Sequence, residues 1–416
     1  MIAIIGGGVV GVSTAYHLAQ AGHAVTVIER DAELASECSF GNAGVIALGH
    51  AESWAGPRAP RQMARALAGR DPAVRVTRAG DPRLWSWGLR FLSQCTGAAH
   101  RRNSDRLMRL SVYSRAQLQA IEAAEGLDYH QRHDGAYYLY TDRAQFHARR
   151  DALAGNADFV ALDRHEVVAQ EPALAGFGAK LAGALRSTID SSGECPRFTR
   201  DLAARLEVRG QVRFRTGCRA TGFRRAGGRI VAILTDQGEI PCETVVLAAA
   251  SATPALAAKL GFAPAIYPVK GYSATYPIRD AGRVPARSFV DETSLVGVSR
   301  FGDRLRVAWR AEFAGHDTSV SDKAAAVIAD YARQRFGDAI DIDGGLYWAG
   351  LRPTTPGGAP YLGRVRTCEN LWINAGHGQL GWTMAAGAGR VLADLMGGQV
   401  PAVRDVSHPA RWLEAA

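Results

Sequence analysis

Three glycines and one acid near the start of the chain are spaced to hold a phosphate-linked nucleotide. Gly6-Gly7-Gly8-Val9-Val10-Gly11 has the pattern GxGxxG and lies between an apolar run at 2–5 and a helical pattern at 9–21, with Val12, Ala15, Tyr16 and Ala19 on one face. Gly6 suits the tight turn, Gly8 lets the backbone approach a pyrophosphate, and Gly11 lets the helix pack close to the strand. The N–H groups around Val9 and Val10 then point the positive end of the helix dipole at the phosphates. Glu29, eighteen residues after Gly11, ends the next apolar run. A carboxylate there accepts hydrogen bonds from ribose hydroxyls and repels a 2′-phosphate. Arg30 follows it, either at the adenosine end of the ligand or in solvent. Strand, glycines, helix, second strand and terminal acid together predict a dinucleotide site, without separating NAD from FAD.

These residues need a βαβ unit to position them. Segments 2–5 and 24–28 read as strands, and Gly22 stops the intervening helix. Residues 38–49 read as a loop of small residues, and 57–82 as an irregular excursion rich in Pro, Gly and Arg. Helical spacing recurs at 107–122, 164–171, 324–336 and 383–396. Strands are expected at 136–140, 212–214, 230–235, 244–249, 268–276, 294–298, 305–308 and 371–374. Nucleotide features at both ends, with a mixed sheet inserted between them, predict an α/β chain with an α+β second domain. The expected Rossmann-type domain is discontinuous, 1–80, 178–260 and 350–416, and a substrate domain with a mixed antiparallel sheet takes 81–177 and 261–349.

The chain of 416 residues carries 49 basic and 40 acidic side chains, a net charge of +9. The arginines are dispersed, with no dense basic tail, which argues against a nucleic-acid partner. Six scattered cysteines form no CxxC pair, and no histidine cluster has metal-ligand spacing, so reduced thiols in a cytoplasmic protein are expected. The N-terminal run lacks the positively charged region of a signal peptide. The apolar stretch 245–266 is broken by Ser251, Thr253, Pro254, Lys259 and Pro264 and does not read as a membrane span.

Further motifs follow in order: Ser39-Phe40-Gly41-Asn42-Ala43-Gly44, Tyr267-Pro268-Val269-Lys270-Gly271-Tyr272-Ser273, Gly350-Leu351-Arg352-Pro353-Thr354-Thr355-Pro356, and Gly376-His377-Gly378-Gln379-Leu380-Gly381-Trp382-Thr383. With the N-terminal fingerprint, they make the chain resemble, over nearly its whole length, the D-amino-acid dehydrogenase (small subunit) family. That family lies within the D-amino-acid oxidase, glycine oxidase and sarcosine oxidase superfamily. The resemblance implies non-covalent FAD, because the covalent flavin cysteine of sarcosine oxidases has no evident counterpart. It implies a second flavin-contact loop at Ser39, Asn42, Ala43 and Gly44, with further contacts at Cys218 and Ala249. It also implies a C-terminal flavin loop at Gly376, His377, Gly378, Leu380, Gly381, Trp382 and Thr383. Amides near Leu380 and Gly381 are expected to face the flavin pyrimidine edge, where a helix N-terminus stabilises the negative charge of the reduced ring.

For the substrate, the resemblance implies that Arg352 grips the carboxylate with its guanidinium fork. Tyr272 either donates to the same carboxylate or walls the pocket, and Lys270 is either near the flavin or solvated. His50, with Glu52 behind it, is placed near the substrate amine, and Tyr137 at the pocket wall or in the core. Two departures stand out: Ala250, where the family often has glycine, and His50, where an aromatic residue is common. The implied reaction oxidises a D-amino acid by hydride transfer to flavin N5, yielding the 2-oxo acid and ammonia, with electrons passed to a quinone or carrier. Alternatives are a glycine, sarcosine or cyclic-amine enzyme such as one for D-proline or D-hydroxyproline, a nicotinamide enzyme, and the FAD subunit of a larger complex. Leu84-Trp85-Ser86-Trp87 through Phe91-Leu92, flanked by Arg83 and Arg90, either meets the inner face of a membrane or forms an inter-domain helix. The oligomeric state stays open.

Overall fold

Short runs of β-branched residues at the N-terminus form the centre of a parallel sheet. In the computed structural model, which describes residues 1–71 and 73–415, Ile2–Ile5 pairs in parallel with Val25–Ile28 on one side and Thr244–Leu247 on the other. The seven-stranded sheet runs Leu413–Ala415, Tyr361–Val365, Leu371–Ala375, Thr244–Leu247, Ile2–Ile5, Val25–Ile28, Val212–Arg215. Its central strand is buried on both faces, as a parallel sheet covered by helices requires.

Helix Gly381–Met396 lies between helix Val9–Gln20 and helix Gly97–Glu125. Two glycines permit this: a Cβ on Gly387 would meet Ser114 Cα at 2.6 Å, and one on Gly389 would meet the Ser13 carbonyl carbon at 2.9 Å. The close crossing fixes where the N-terminus of the last helix points.

The second layer is a nine-stranded sheet: Leu346–Thr354, Tyr267–Pro277, Arg304–Phe313, Val296–Phe301, Phe289–Asp291, Ala136–Tyr140, Gly183–Ser187 and Phe159–Leu162 in order, with Val74–Val76 added beside Arg304–Phe313. Helix Asp322–Phe336 covers one face of it, packing Ile328, Ala332 and Phe336 against Tyr272, Ala274 and Tyr276. The opposite face turns toward the loop 39–44 and the nucleotide sheet.

Several segments depart from the sequence expectation. The excursion 57–82 contains helix Ala59–Leu67, whose Pro lies in the first turn, where it costs nothing, and whose Ala and Arg residues favour helix. Helix Gly97–Glu125 is far longer than the expected 107–122, capped by Thr96 and ended by Gly126 at φ 57°. Its Leu107, Leu110, Leu118 and Ile121 share a core with the nucleotide sheet's helices, so it sorts with that layer and not with the substrate sheet. Conversely Val74–Val76, Gly183–Ser187 and the end of Leu346–Thr354 join the nine-stranded sheet by backbone pairing. The expected boundaries at 80, 178 and 350 are corrected accordingly.

Candidate active site

The N-terminal fingerprint folds as its glycines require. Gly6 has φ 118°, and a Cβ there would run into the Ala248 carbonyl. A Cβ on Gly11 would strike the Gly6 carbonyl, so only glycine lets the helix sit this close to the turn. The helix begins at Gly8 with no side-chain cap, and the Val9 N–H donates to Ser39 Oγ at 3.1 Å. Glu29 accepts from the Gly7 N–H at 2.6 Å on one oxygen and from the Asp31 N–H at 3.0 Å on the other. Each oxygen keeps a lone pair for a ribose hydroxyl. Glu29, Arg30, Cys218 and Ala249 all line a cavity of about 450 Å³ at this end. Arg30 is paired with Glu37 and, at 3.8 Å, with Asp31, so its charge is largely engaged.

A second cavity, of about 220 Å³, continues from the first. The two share Gly8, Cys38, Ser39, Ala248 and Ala250, and together form one elongated cleft running from Glu29 to Arg352. Ser39, Asn42, Ala43 and Gly44 line its second half. Asn42 closes its own loop, accepting from the Gly44 N–H at 2.9 Å and donating to the Ser39 carbonyl at 3.2 Å. The loop is bolted to the nine-stranded sheet: Ser299 Oγ donates to the Ala43 carbonyl at 2.6 Å, and Arg306 Nη1 to the Phe40 carbonyl at 2.9 Å. Ala250 holds φ 44°, a conformation natural to the glycine expected there and costly for alanine.

From the C-terminal side, Gly376, His377, Gly378, Gln379, Gly381 and Trp382 reach the same cavity. Gly376 and Gly378 have φ 90° and 53°, which turns the chain from strand to helix. The helix Gly381–Met396 starts at Leu380 without a side-chain cap, so its first amides are left for a ligand. Leu380 itself is buried and is not among the residues lining the cavity, and its N–H donates to the His377 carbonyl at 3.0 Å. Thr383 likewise acts from behind, its hydroxyl accepting from the Ala47 N–H at 3.1 Å. Trp382 packs on Phe198 and Tyr129 while bordering the cavity. Burial pushes the His377 pKa down to about 3, so the ring is neutral.

This cleft fits a flavin dinucleotide on its own chemistry. Three of its lining residues, Asn374, His377 and Trp382, hold buried polar atoms (Oδ1, Nε2 and Nε1) with no hydrogen-bond partner among the described residues. Buried polar atoms are ordinarily satisfied, and these border the space a ligand would fill.

At the far end, strand periodicity puts Trp348, Gly350 and Arg352 on one face. Arg352 Nη1 donates to the Arg310 carbonyl at 2.9 Å. That carbonyl is aimed by a bulge, for Arg310 has φ 65° where the register between Tyr267–Pro277 and Arg304–Phe313 shifts. Among the described residues no acid pairs with Arg352, and burial lowers its pKa from the usual arginine range. The guanidinium lies over Gly271 and the Trp348 ring over Gly350, two glycines paired across adjacent strands. Trp348 also abuts Gly41 of the second loop, and with Cys38 and Ala308 it lines the cavity. Trp348 escaped sequence reasoning, although its alternation with Gly350 and Arg352 was readable.

Tyr272 is not Arg352's partner. Val269 is the residue opposite Arg352, so Tyr272, three positions on, projects from the other face of the sheet. Tyr272 borders the cavity, but its hydroxyl donates to Glu312 Oε2 at 2.7 Å within the core beneath helix Asp322–Phe336. Lys270, on that same face, pairs with Asp317 at 2.8 Å. His50 does not line the cleft either. Its Nε2 lies 2.6 Å from Glu292 Oε1 and its ring stacks on Tyr138, while Glu52 pairs with Arg149 at 2.9 Å. The loop after Ile46 carries His50 and Glu52 to this ionic cluster, whose other members Glu292 and Arg149 come from segments far away in the chain. Tyr137 is a core residue bonded to Gln170.

Comparison with known proteins agrees with this geometry. The family model described as FAD dependent oxidoreductase (DAO) matches residues 1–395. A D-amino acid dehydrogenase of Xanthobacter autotrophicus is 41% identical over 422 residues, covering 100% of both chains. That of Methylobacterium radiotolerans is 41% identical over 407 residues, covering 97% of each. Among solved structures, glycine oxidase from Bacillus cereus shares the fold with a TM-score of 0.74 at 22% identity, over 99% of both chains. L-Proline dehydrogenase from P. horikoshii does so with a TM-score of 0.71 at 18% identity, over 96% of this chain and 94% of that one. Fingerprint, cleft and full-length match together place the chain in the FAD dependent oxidoreductase (DAO) family.

Proposed function

We propose that the protein is an FAD-dependent D-amino acid dehydrogenase that converts a D-amino acid to the 2-oxo acid and ammonia. The observation that carries this reading is Arg352: a largely buried guanidinium with no acidic partner among the described residues, at the end of a dinucleotide cleft. When bound, the flavin supplies the hydride acceptor. Arg352 binds the substrate carboxylate and fixes the plane and distance of the Cα–H. Trp348 and the Gly271–Gly350 floor bound the space beside it. The uncapped N-terminus of Gly381–Met396 offers positive dipole to negative charge that develops nearby. Water then hydrolyses the released imino acid. The identity of relatives named D-amino acid dehydrogenase supports the stereochemistry. An anaerobic spectral titration with D- and L-amino acids tests the reading: bleaching of the flavin by D-amino acids alone is expected, and bleaching only by L-amino acids, or by none, overturns it.

We also propose that electrons leave to a quinone or carrier at an anionic membrane surface. Among the described residues no helix is long and apolar enough to cross a bilayer. Helices Ala59–Leu67 and Pro82–Ser93 pack together and expose Leu67, Trp85, Leu89 and Leu92. Arg58, Arg61, Arg65, Arg83 and Arg90 lie on the same two helices and their caps. Apolar side chains ringed by arginine suit the headgroup region. Trp87 is not part of this surface: it is buried, stacked on Phe91, with its Nε1 donating to the Thr354 carbonyl at 2.9 Å.

A further inference from the structure

A third cavity, of about 460 Å³, lies farther along the same sheet face that carries Arg352. Phe40 lines it and Trp348 lines the flavin-end cavity, with their ring centroids 6.2 Å apart. Four arginines surround it, Arg197, Arg200, Arg304 and Arg306, against two carboxylates, Glu194 and Asp201. Three of the four arginines are paired: Arg304 donates to both oxygens of Glu194 at 3.0 and 2.9 Å, Arg197 lies 3.2 Å from Asp128 and 3.8 Å from Asp201, and Arg200 lies 2.8 Å from Glu33, which leaves Arg306 without an acid at ion-pair distance among the described residues. The helix Cys195–Val208 begins at Glu194 without a side-chain cap, adding its positive end.

Arg306 is the distinctive member. It is only 3% exposed. Its Nε donates to Thr275 Oγ1 at 3.0 Å, and its Nη1 to the carbonyls of Phe40 and Asn42 at 2.9 and 3.3 Å. Its Nη2 has no hydrogen bond to the described residues. A buried cation that lines a cavity, has no acid partner among the described residues and keeps a donor uncommitted is a place where an anion gains charge-assisted hydrogen bonding. Burial lowers the Arg306 pKa to about 10, as expected of a cation short of counter-charge.

We propose that this cavity binds a small free oxyanion, a carboxylate or phosphate, and that its occupancy stiffens the flavin-contact loop through Arg306. The guanidinium that meets the anion on one nitrogen holds the carbonyls of Phe40 and Asn42 on the other. Anion and flavin therefore bind with positive coupling, each raising the affinity of the other. This uses the cleft's reading as a flavin site but not the identity of the substrate.

The test uses the holoenzyme with inorganic phosphate, and succinate in parallel, at constant ionic strength set with chloride. Calorimetry reads binding, and fluorescence of released FAD reads cofactor dissociation. Saturable phosphate binding at one site per chain is expected, with flavin release slowed about 5-fold or more. Both effects are expected to weaken in Arg306→Lys and, to a smaller extent, in Arg197→Gln, while Arg197→Gln keeps its turnover in phosphate-free buffer. Succinate that competes with phosphate identifies a general oxyanion site; succinate that does not bind restricts it to phosphate. No saturable binding of either probe, binding indifferent to both substitutions, or binding that leaves flavin release unchanged overturns the proposal. A preparation that no amino acid bleaches but that shows the coupling would sink the dehydrogenase reading alone.

Discussion

The Arg352 guanidinium rests on the bare backbone of Gly271: a Cβ built there would lie 2.5 Å from Cζ, Nη1 and Nη2 alike. Gly271 is therefore the seat that sets the height of the guanidinium in the cavity. Gly271→Ala is expected to lift Arg352 by part of an ångström and lower kcat/KM on the order of 10–100-fold, because misplacing a positioned group costs that much. Flavin content should stay near wild type, since the substitution lies at the substrate end. Unchanged kcat/KM would show that Arg352 is not the carboxylate anchor.

The opposed faces of Arg352 and Tyr272 give a paired prediction. Arg352→Ala is expected to lower kcat/KM on the order of 10²–10³-fold, about 3–4 kcal/mol, through loss of the charge-assisted fork. Tyr272→Phe should leave kcat/KM within a few-fold of wild type. It should instead destabilise the fold by about 1–3 kcal/mol, because buried Glu312 loses a donor. Steady-state kinetics beside urea unfolding separates the two, and a large kinetic loss in Tyr272→Phe would restore it as a substrate contact.

That pair also shows what the sequence could and could not tell. The fingerprint, Glu29 and the glycines of the C-terminal loop were legible because much of their chemistry is local: Gly6, Gly376 and Gly378 hold positive φ, and Gly11 avoids the Gly6 carbonyl in its own turn. The face of Tyr272 was not, because it depends on pairing Val269 with Arg352, 83 residues apart in sequence. His50 and Glu52 were misplaced for a similar reason, since Glu292 and Arg149, their partners, come from distant segments. The length of helix Gly97–Glu125 was hidden because its first turns are rich in Arg and lack a clear apolar stripe, and the partners that hold them, Ser53 against Ser104 and Asp405 against Arg106, lie far away in sequence. Trp348 was readable by alternation but has no meaning until Gly41 is seen against it.

Ala250 carries a conformational cost that glycine would remove. An L-residue at φ 44° costs about 1–2 kcal/mol, and glycine's added freedom in the unfolded chain returns about 0.5–1 kcal/mol of that. Ala250→Gly is thus expected to stabilise the protein by up to about 1 kcal/mol without loss of flavin. A lower Tm for this variant would mean that the methyl group makes packing contacts worth more than the strain.

The exposed face of Pro82–Ser93 makes a separable prediction. Trp85→Ala with Leu89→Ala is expected to weaken partitioning onto phosphatidylglycerol vesicles on the order of tenfold, from the apolar area lost. Raised salt should weaken it further by screening the surrounding arginines. Dye-linked turnover in solution should be unaffected, since both side chains point away from the cleft. Equal flotation of variant and wild type would exclude this face as the docking surface.

Acid sensitivity follows from two buried histidines. Burial lowers the His17 pKa to about 4 and that of His377 to about 3, from 6.5. Below pH 6.5 the unfolded chain takes up protons that these native rings refuse, so the unfolded state gains on the folded one as pH falls. Stability is fully present above 6.5 and declines toward the native pKa values, by about 1.4 kcal/mol per pH unit for each group. His17 lies on helix Val9–Gln20 and does not line either half of the cleft. His17→Gln, which cannot titrate, should therefore flatten the fall of unfolding free energy between pH 6.5 and 4 by about that amount per unit while leaving in place the contribution of His377, which has the same slope but extends to lower pH. Urea unfolding at several pH values reads the slope directly. A variant whose slope matches wild type would mean that His17 accepts its proton in the folded protein as readily as in the unfolded chain.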